Sequence, residues 1–212
     1  LLFKASPQFN PANPYDNSYW QDAYTVNKAA KAFLEGLGYG LYPDYGGIWM
    51  NEQNQEDVMT VVYMNPGKTN GRREDCVRPL SQSVDCTGSD NPVWNLVSSY
   101  PMLDGKQPGD SKYTFNLQAF WENRDPRFDA TIAYNGDIFP LGVSDDHRIY
   151  TDILLGGRDG FGPGEVYNRT GFYCRKGIDN SLAKTQTKLN AVDGVEIRFA
   201  EVLLNFAEAA NE

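Results

Sequence analysis

The chain has 212 residues, 28 of them acidic and 19 basic, for a net charge of −9. That balance excludes a surface built to track nucleic-acid phosphates or to hold an anionic bilayer, and the 41% hydrophobic content contains no run near the ~18 apolar residues of a membrane span. Aromatic residues are in excess, 13 Tyr, 11 Phe and 4 Trp, so a search for a binding surface starts from them.

The first six residues read as the end of a helix halted by Pro7, so the chain is expected to begin inside an element. After a polar Asn/Pro loop, "SYWQDAYTVNKAAKAFLEGLG" predicts a helix over 18–36. Ser18 and Gln21 have capping-box spacing, Gly36 or Gly38 supplies the stop, and Trp20, Ala23, Tyr24, Ala30, Phe33 and Leu34 form the apolar side. A β-branched run predicts a strand over 58–63, bounded by Asn-Pro-Gly. Residues 65–93 are rich in Gly, Asp, Ser and Pro and read as loop. "PVWNLVSSY" predicts a short helix with Pro92 near its start, 104–116 a further loop, 130–134 a strand, 156–164 a glycine-rich flexible stretch, and "TGFYCRKGI" a last strand. "RFAEVLLNFAEAANE" closes the chain as a helix from Arg198. Phe199, Ala200, Val202, Leu203, Leu204, Phe206, Ala207 and Ala210 give it an apolar arc of roughly 220°, wider than a surface helix needs. It therefore expects neighbours on two sides.

Catalytic patterns fail early. His147 is the single histidine and no G-x-S-x-G elbow accompanies it. Cys76, Cys86 and Cys174 lack zinc spacing; a Cys76–Cys86 bridge and free thiols are both open. The glycine runs lack nucleotide-binding signatures, and Asp145, Asp146 and Asp152 lack the spacing of an EF-hand. Glu201 and Glu208 lie about 10.5 Å apart along one helix, too far for a hydrolytic carboxylate pair. The Asn168 sequon is a pattern that chance often produces. No cofactor and no metal is expected. The aromatics in Gly/Pro/Asn-rich loops, Trp49, Tyr63, Trp94, Tyr100 and Tyr113, could pack inward or could stack on the apolar face of a sugar. Arg124, Asp125 and Arg127 of "RDPRF" read as a clamp that fixes a turn.

Several segments in order, "ASPQFNPAN", "WQDAYTVNKAAKAFLEGLGYGLYPDY", "NQEDVMTVVY", "LVSSYPMLDGK", "ENRDPRFDATIAYNG", "TGFYCRKGI" and "IRFAEVLLNFAEAANE", resemble the SusD/RagB-like outer-membrane nutrient-binding lipoproteins of Bacteroidetes. The resemblance implies a mainly α fold: tetratricopeptide-like helix pairs of a superhelix with a large irregular insertion of loops and short strands. On that pattern 1–36 are the end of a repeat helix and its partner, 37–196 the insertion, and 197–212 the first helix of the next repeat. It also implies an internal piece of a longer protein. The implied role is not enzymatic: a cell-surface protein binds oligosaccharide and delivers it to a SusC-like TonB-dependent transporter. Membrane attachment would come only through a lipid anchor outside this sequence, and nucleic acid is not an expected partner. A peptide ligand or a purely scaffolding role is the alternative. The family's glycan contacts carry no fixed motif, so Trp49, Tyr63 and Trp94 are expected to bind ligand on their loop context alone.

Overall fold

The structure, a computed structural model, describes residues 18–82, 88–139, 148–151, 157–160 and 168–212. The chain divides into two compact units, one of residues 1–44, 51–61 and 194–212, the other of residues 45–50 and 62–193.

The first unit is a helix pair with a two-stranded sheet. Helix α1 (Ser18–Gly36) ends where Gly38 takes φ +89°, a left-handed stop that costs glycine little. Strand β1 (Asp57–Val61) pairs antiparallel with β4 (Gly194–Arg198), Asp57 opposite Arg198 and Val61 opposite Gly194, with a bulge between. Helix α5 (Phe199–Asn211) leaves β4 without a turn. Its first amide, Phe199 N–H, donates to the Glu56 carbonyl at 2.8 Å. The buried Glu56 carboxylate accepts from Arg198 at 2.7 Å and from the Tyr42 amide at 2.8 Å, which fixes the strand against the helix start. Between α1 and α5 the core is Trp20, Ala23 and Ala209, with Tyr24 against Phe206 at 5.4 Å. Small alanines at the crossing let the two backbones approach.

Strand β4 is absent from the sequence reading, which started the last helix at Arg198. The residues Val195 and Ile197 alternate with polar ones, but that five-residue signal is masked by the helical periodicity that follows. The wide apolar arc of α5 is only partly covered within the described residues: Phe199 is buried, whereas Leu204 is 70% exposed. On α1, Phe33 is likewise exposed.

The second unit holds little regular structure. Helix α2 (Gly71–Val77), α3 (Trp94–Ser99) and α4 (Pro126–Asp129) are short, and β2 (Ile132–Ala133) pairs antiparallel with β3 (Tyr173–Cys174). One core cluster gathers Val77, Ala133, Phe139, Ile149, Tyr173 and Ile178; a second is built on Val97, Phe128 and Ile132. Helix α2 lies inside the stretch read as loop. It carries little apolar periodicity and is held instead by a fully buried ion pair one turn apart, Glu74 with Arg78. Glu74 also accepts from the Asp179 amide at 2.7 Å and from Asn190, while Arg78 donates to the carbonyls of Asp179 (2.9 Å) and Leu182 (3.1 Å). A charge pair in the interior survives only when its remaining donors and acceptors are met, and here the surrounding loop meets them.

The same device recurs. Buried Asp159 accepts from the amides of Ser81 and Tyr150 at 2.8 and 3.0 Å, and Asn168 accepts from those of Thr170 and Gly171 while donating to the Phe172 carbonyl at 2.7 Å. Asn168 is thus 3% exposed with its Nδ2 bonded inside the protein, so the sequon is not a surface acceptor. Cys76 and Cys174 are free thiols, and Cys86 lies outside the described residues. His147, Asp145, Asp146 and Asp152 also lie outside them.

Candidate functional site: an aromatic platform

Helix α3 presents Trp94 at its first position, 39% exposed. The indole lies nearly parallel to Phe172 (6.1 Å, 26°) and edge-on to Phe120 (5.6 Å, 86°). Phe120 is the hub of the arrangement, in ring contact with Trp121 at 5.1 Å, Tyr134 at 5.4 Å, Phe172 at 5.7 Å and Phe128 at 6.2 Å. Trp121 stacks on Tyr134 at 4.9 Å and 15°. Edge-to-face and offset contacts of this kind add stability beyond area and fix ring orientation. One face of Trp94 is therefore backed by protein, and the residue still reaches solvent.

Arg124 holds this platform from behind. It is 4% exposed and donates to the carbonyls of Val97 (2.9 Å) and Tyr100 (2.7 Å), at the carboxyl end of α3, and of Phe120 (3.0 Å). A cation there satisfies helix-end carbonyls and suits the helix dipole. Its guanidinium also lies over Phe128 (5.2 Å) and Phe115 (5.5 Å). Burial pushes its pKa down, against which the carbonyls hold the charge. Asp125 caps α4 by accepting from the Arg127 amide and takes both guanidinium arms of Arg127 at 2.8 and 2.9 Å, with Pro126 at the first helical position. The Arg127 hydrogen bond holds the Asp125 carboxyl below its ordinary range. The "RDPRF" clamp read from sequence is thus present, and it closes a helix rather than a simple turn. On the inner side, burial and then the charges of Asp137 and Asp129 push the Tyr134 hydroxyl up to about 12.

The three expected ligand residues have different surroundings. Trp49 is half-buried, edge-on to Tyr45 at 5.7 Å, with the Lys176 ammonium 4.9 Å from its ring centre and 4.8 Å from that of Tyr45. Tyr63 lies under Lys68 at 4.8 Å, and its amide donates to Asp193 at 2.7 Å. Trp94 is the one set in a multi-ring platform. Tyr100 turns inward, edge-on to Phe128, and Tyr113 lies under Lys112 beside a shallow cleft over residues 108–115. Phe120, Trp121, Tyr134 and Phe172 escaped the sequence reading. Their rings converge from three separated segments, and the "FW" pair was the one local signal.

Among the described residues no group of His, Cys, Asp and Glu is placed to hold a metal ion, and no helix is long and apolar enough to cross a membrane. Glu201 and Glu208 are both exposed on α5.

One unit is thus a helix pair with a small sheet, and the other a loop-rich body that carries the aromatic platform. The chain belongs to the SusD family, whose sequence model matches residues 45–212. Its fold is similar to that of a SusD-like carbohydrate binding protein from Bacteroides fragilis (TM-score 0.73, 23% identity), with 90% of this chain and 37% of that one covered. A second SusD-like protein from the same organism matches with TM-score 0.66 and 23% identity over 95% of this chain and 41% of the other. The chain thus spans less than half the length of these solved structures. No curated protein sequence matches it.

Proposed function

We propose that this chain is part of a cell-surface glycan-binding protein that delivers oligosaccharide to a SusC-like TonB-dependent transporter in the outer membrane, without chemistry of its own. Trp94 carries this reading: an indole braced by Phe120 and Phe172 that remains open to solvent offers a rigid apolar face to a sugar's C–H groups. Family membership and a solved relative described as carbohydrate binding support the same ligand class. In this proposal Trp49 and Tyr63 are secondary contacts. Residues 1–36 and 197–212 belong to tetratricopeptide-like helix pairs, and residues 37–196 form the ligand-facing insertion. A lipid anchor outside this sequence would tether the protein.

Affinity electrophoresis through gels containing neutral polysaccharides tests the reading. The chain is retarded by at least one of them, and Trp94→Ala weakens retention about three- to tenfold, the share of one aromatic contact. Retention unchanged in Trp94→Ala, or release of reducing sugars during incubation, would overturn it. Copurification with a SusC-like transporter tests the delivery role, and a peptide as the retained ligand would favour the alternative.

A further inference from the structure

The first unit contains a cleft of about 440 Å³ that none of the expected ligand residues touches. Its walls are the end of α1 (Leu37, Gly38, Tyr39), the turn Gln53, Asn54 and Gln55, and Asp57, Val58 and Thr60 of β1. The size falls within the ~300–1,000 Å³ of small-molecule sites, enough for a mono- or disaccharide unit. No Lys, Arg or His lines it. Side-chain amides, one carboxylate and two hydroxyls do, beside the Tyr39 ring and two aliphatic side chains. That set can donate to and accept from hydroxyl groups and offers an anion no countercharge.

The cleft is also preformed. Asn54 is locked by its own bonds, donating to Asn51 at 2.8 Å and Asp57 at 3.0 Å and accepting from the Glu56 amide at 2.8 Å. Gln53 is held at φ +56°, a left-handed conformation that non-glycine residues adopt rarely. Gln55 commits one Nε2 hydrogen to the Leu41 carbonyl, which orients its amide and leaves the oxygen and the second N–H to present. Behind them Glu56, fixed by Arg198 and Tyr42, sets the strand. A rigid polar rim loses little entropy on binding.

We infer that this cleft is a second glycan subsite, selective for a neutral sugar unit, separate in sequence from the Trp94 platform. The assignment rests on the glycan-binding reading above. Two mild variants test it: Gln53→Ala, which trims an exposed rim side chain, and Thr60→Val, which removes a hydroxyl at constant shape. Titration calorimetry on the full chain would use neutral gluco-, xylo-, manno- and galacto-oligosaccharides, with oligogalacturonate as the anionic probe. Each variant is expected to weaken the best neutral ligand about three- to tenfold, with unchanged thermal midpoints. Wild-type binding that Trp94→Ala weakens while Gln53→Ala and Thr60→Val leave it intact sinks the cleft and spares the platform. Preference for oligogalacturonate also overturns the cleft. Absence of binding to every probe overturns both.

Discussion

Replacing Arg124 by Met removes the guanidinium and keeps the length of the side chain. Three carbonyls, those of Val97, Tyr100 and Phe120, then lose a charged donor inside the protein. At about 1.5 kcal/mol for each charge-assisted bond, the low end because deletion also removes the cost of burying the cation, the loss is about 3–5 kcal/mol. The Nε of Arg124 is buried without an acceptor, which holds the figure toward the lower bound. Arg124→Lys keeps the charge, but one ammonium cannot span three carbonyls, so about 1.5–3 kcal/mol is expected. Urea unfolding followed by tryptophan emission measures both, since Trp94 and Trp121 lie in the rings that Arg124 braces. The midpoint should fall with little change in slope. The loss should persist in 1 M salt, because a buried group is screened far less than an exposed pair. A change below about 0.5 kcal/mol in Arg124→Met, with unaltered emission, would falsify the clamp.

Glu74→Gln leaves Arg78 charged and fully buried beside a neutral amide, and should cost about 3–5 kcal/mol in the same assay. Gly71→Ala places a Cβ 2.7 Å from the Lys188 backbone, where nothing flexible can yield, so about 1–3 kcal/mol is lost. Asp125 has its carboxyl held below the ordinary 3.8 by Arg127, so its stabilisation is present above that value and disappears as pH falls through the lower folded-state one. The difference between wild type and Asp125→Asn should accordingly be at most ~1 kcal/mol at neutral pH, and shrink as pH falls below the ordinary 3.8. Tyr134 behaves in the opposite sense. With its folded value at about 12 and burial as the main cause, its contribution is intact below the ordinary 10.0 and is lost as pH rises toward 12. Tyr134→Phe should flatten that alkaline decline, and an unchanged slope would refute the shift.

The helical frame was legible because α1 and α5 announce themselves by apolar periodicity and, for α1, a glycine stop. Strand β1 and the pair β2 and β3 followed from β-branched and aromatic runs. Helix α2 was not legible, since its sequence, "GRREDCV", is polar and depends on partners about a hundred residues away, Asp179 and Asn190. Local pattern cannot report a helix stabilised by a buried ion pair. The platform divides in the same way. Trp94 stood out only as an aromatic in a Gly/Pro/Asn-rich stretch, although it opens helix α3, whereas Phe172 and Phe120 join it only through long-range packing. The polar cleft left no sequence signal at all, because its amides read as ordinary loop residues until the chain brings Leu37 to Tyr39 against them.

The second unit shows how a segment with so little regular structure can hold an aromatic platform rigid. Backbone groups in a buried loop need partners, and a sheet or helix would supply them locally at the cost of fixing where side chains point. Here Arg78, Arg124, Asp159, Asn168 and Asn190 supply them from side chains instead. Arg78, Arg124, Asp159 and Asn190 each tie loop atoms to a second segment, while Asn168 closes its own turn, so that chain between the anchors can follow the path the aromatic rings require. Such a scaffold concentrates its stability in a few buried polar groups. Substitutions at exposed rings such as Trp94 should then change affinity with little effect on unfolding, whereas the anchors should affect both. Measuring the two quantities on one set of variants separates them: Trp94→Ala must retain at least the stability that Arg124→Met loses. If Trp94→Ala unfolds the protein as readily, Trp94 is core, and the platform is packing rather than a binding face.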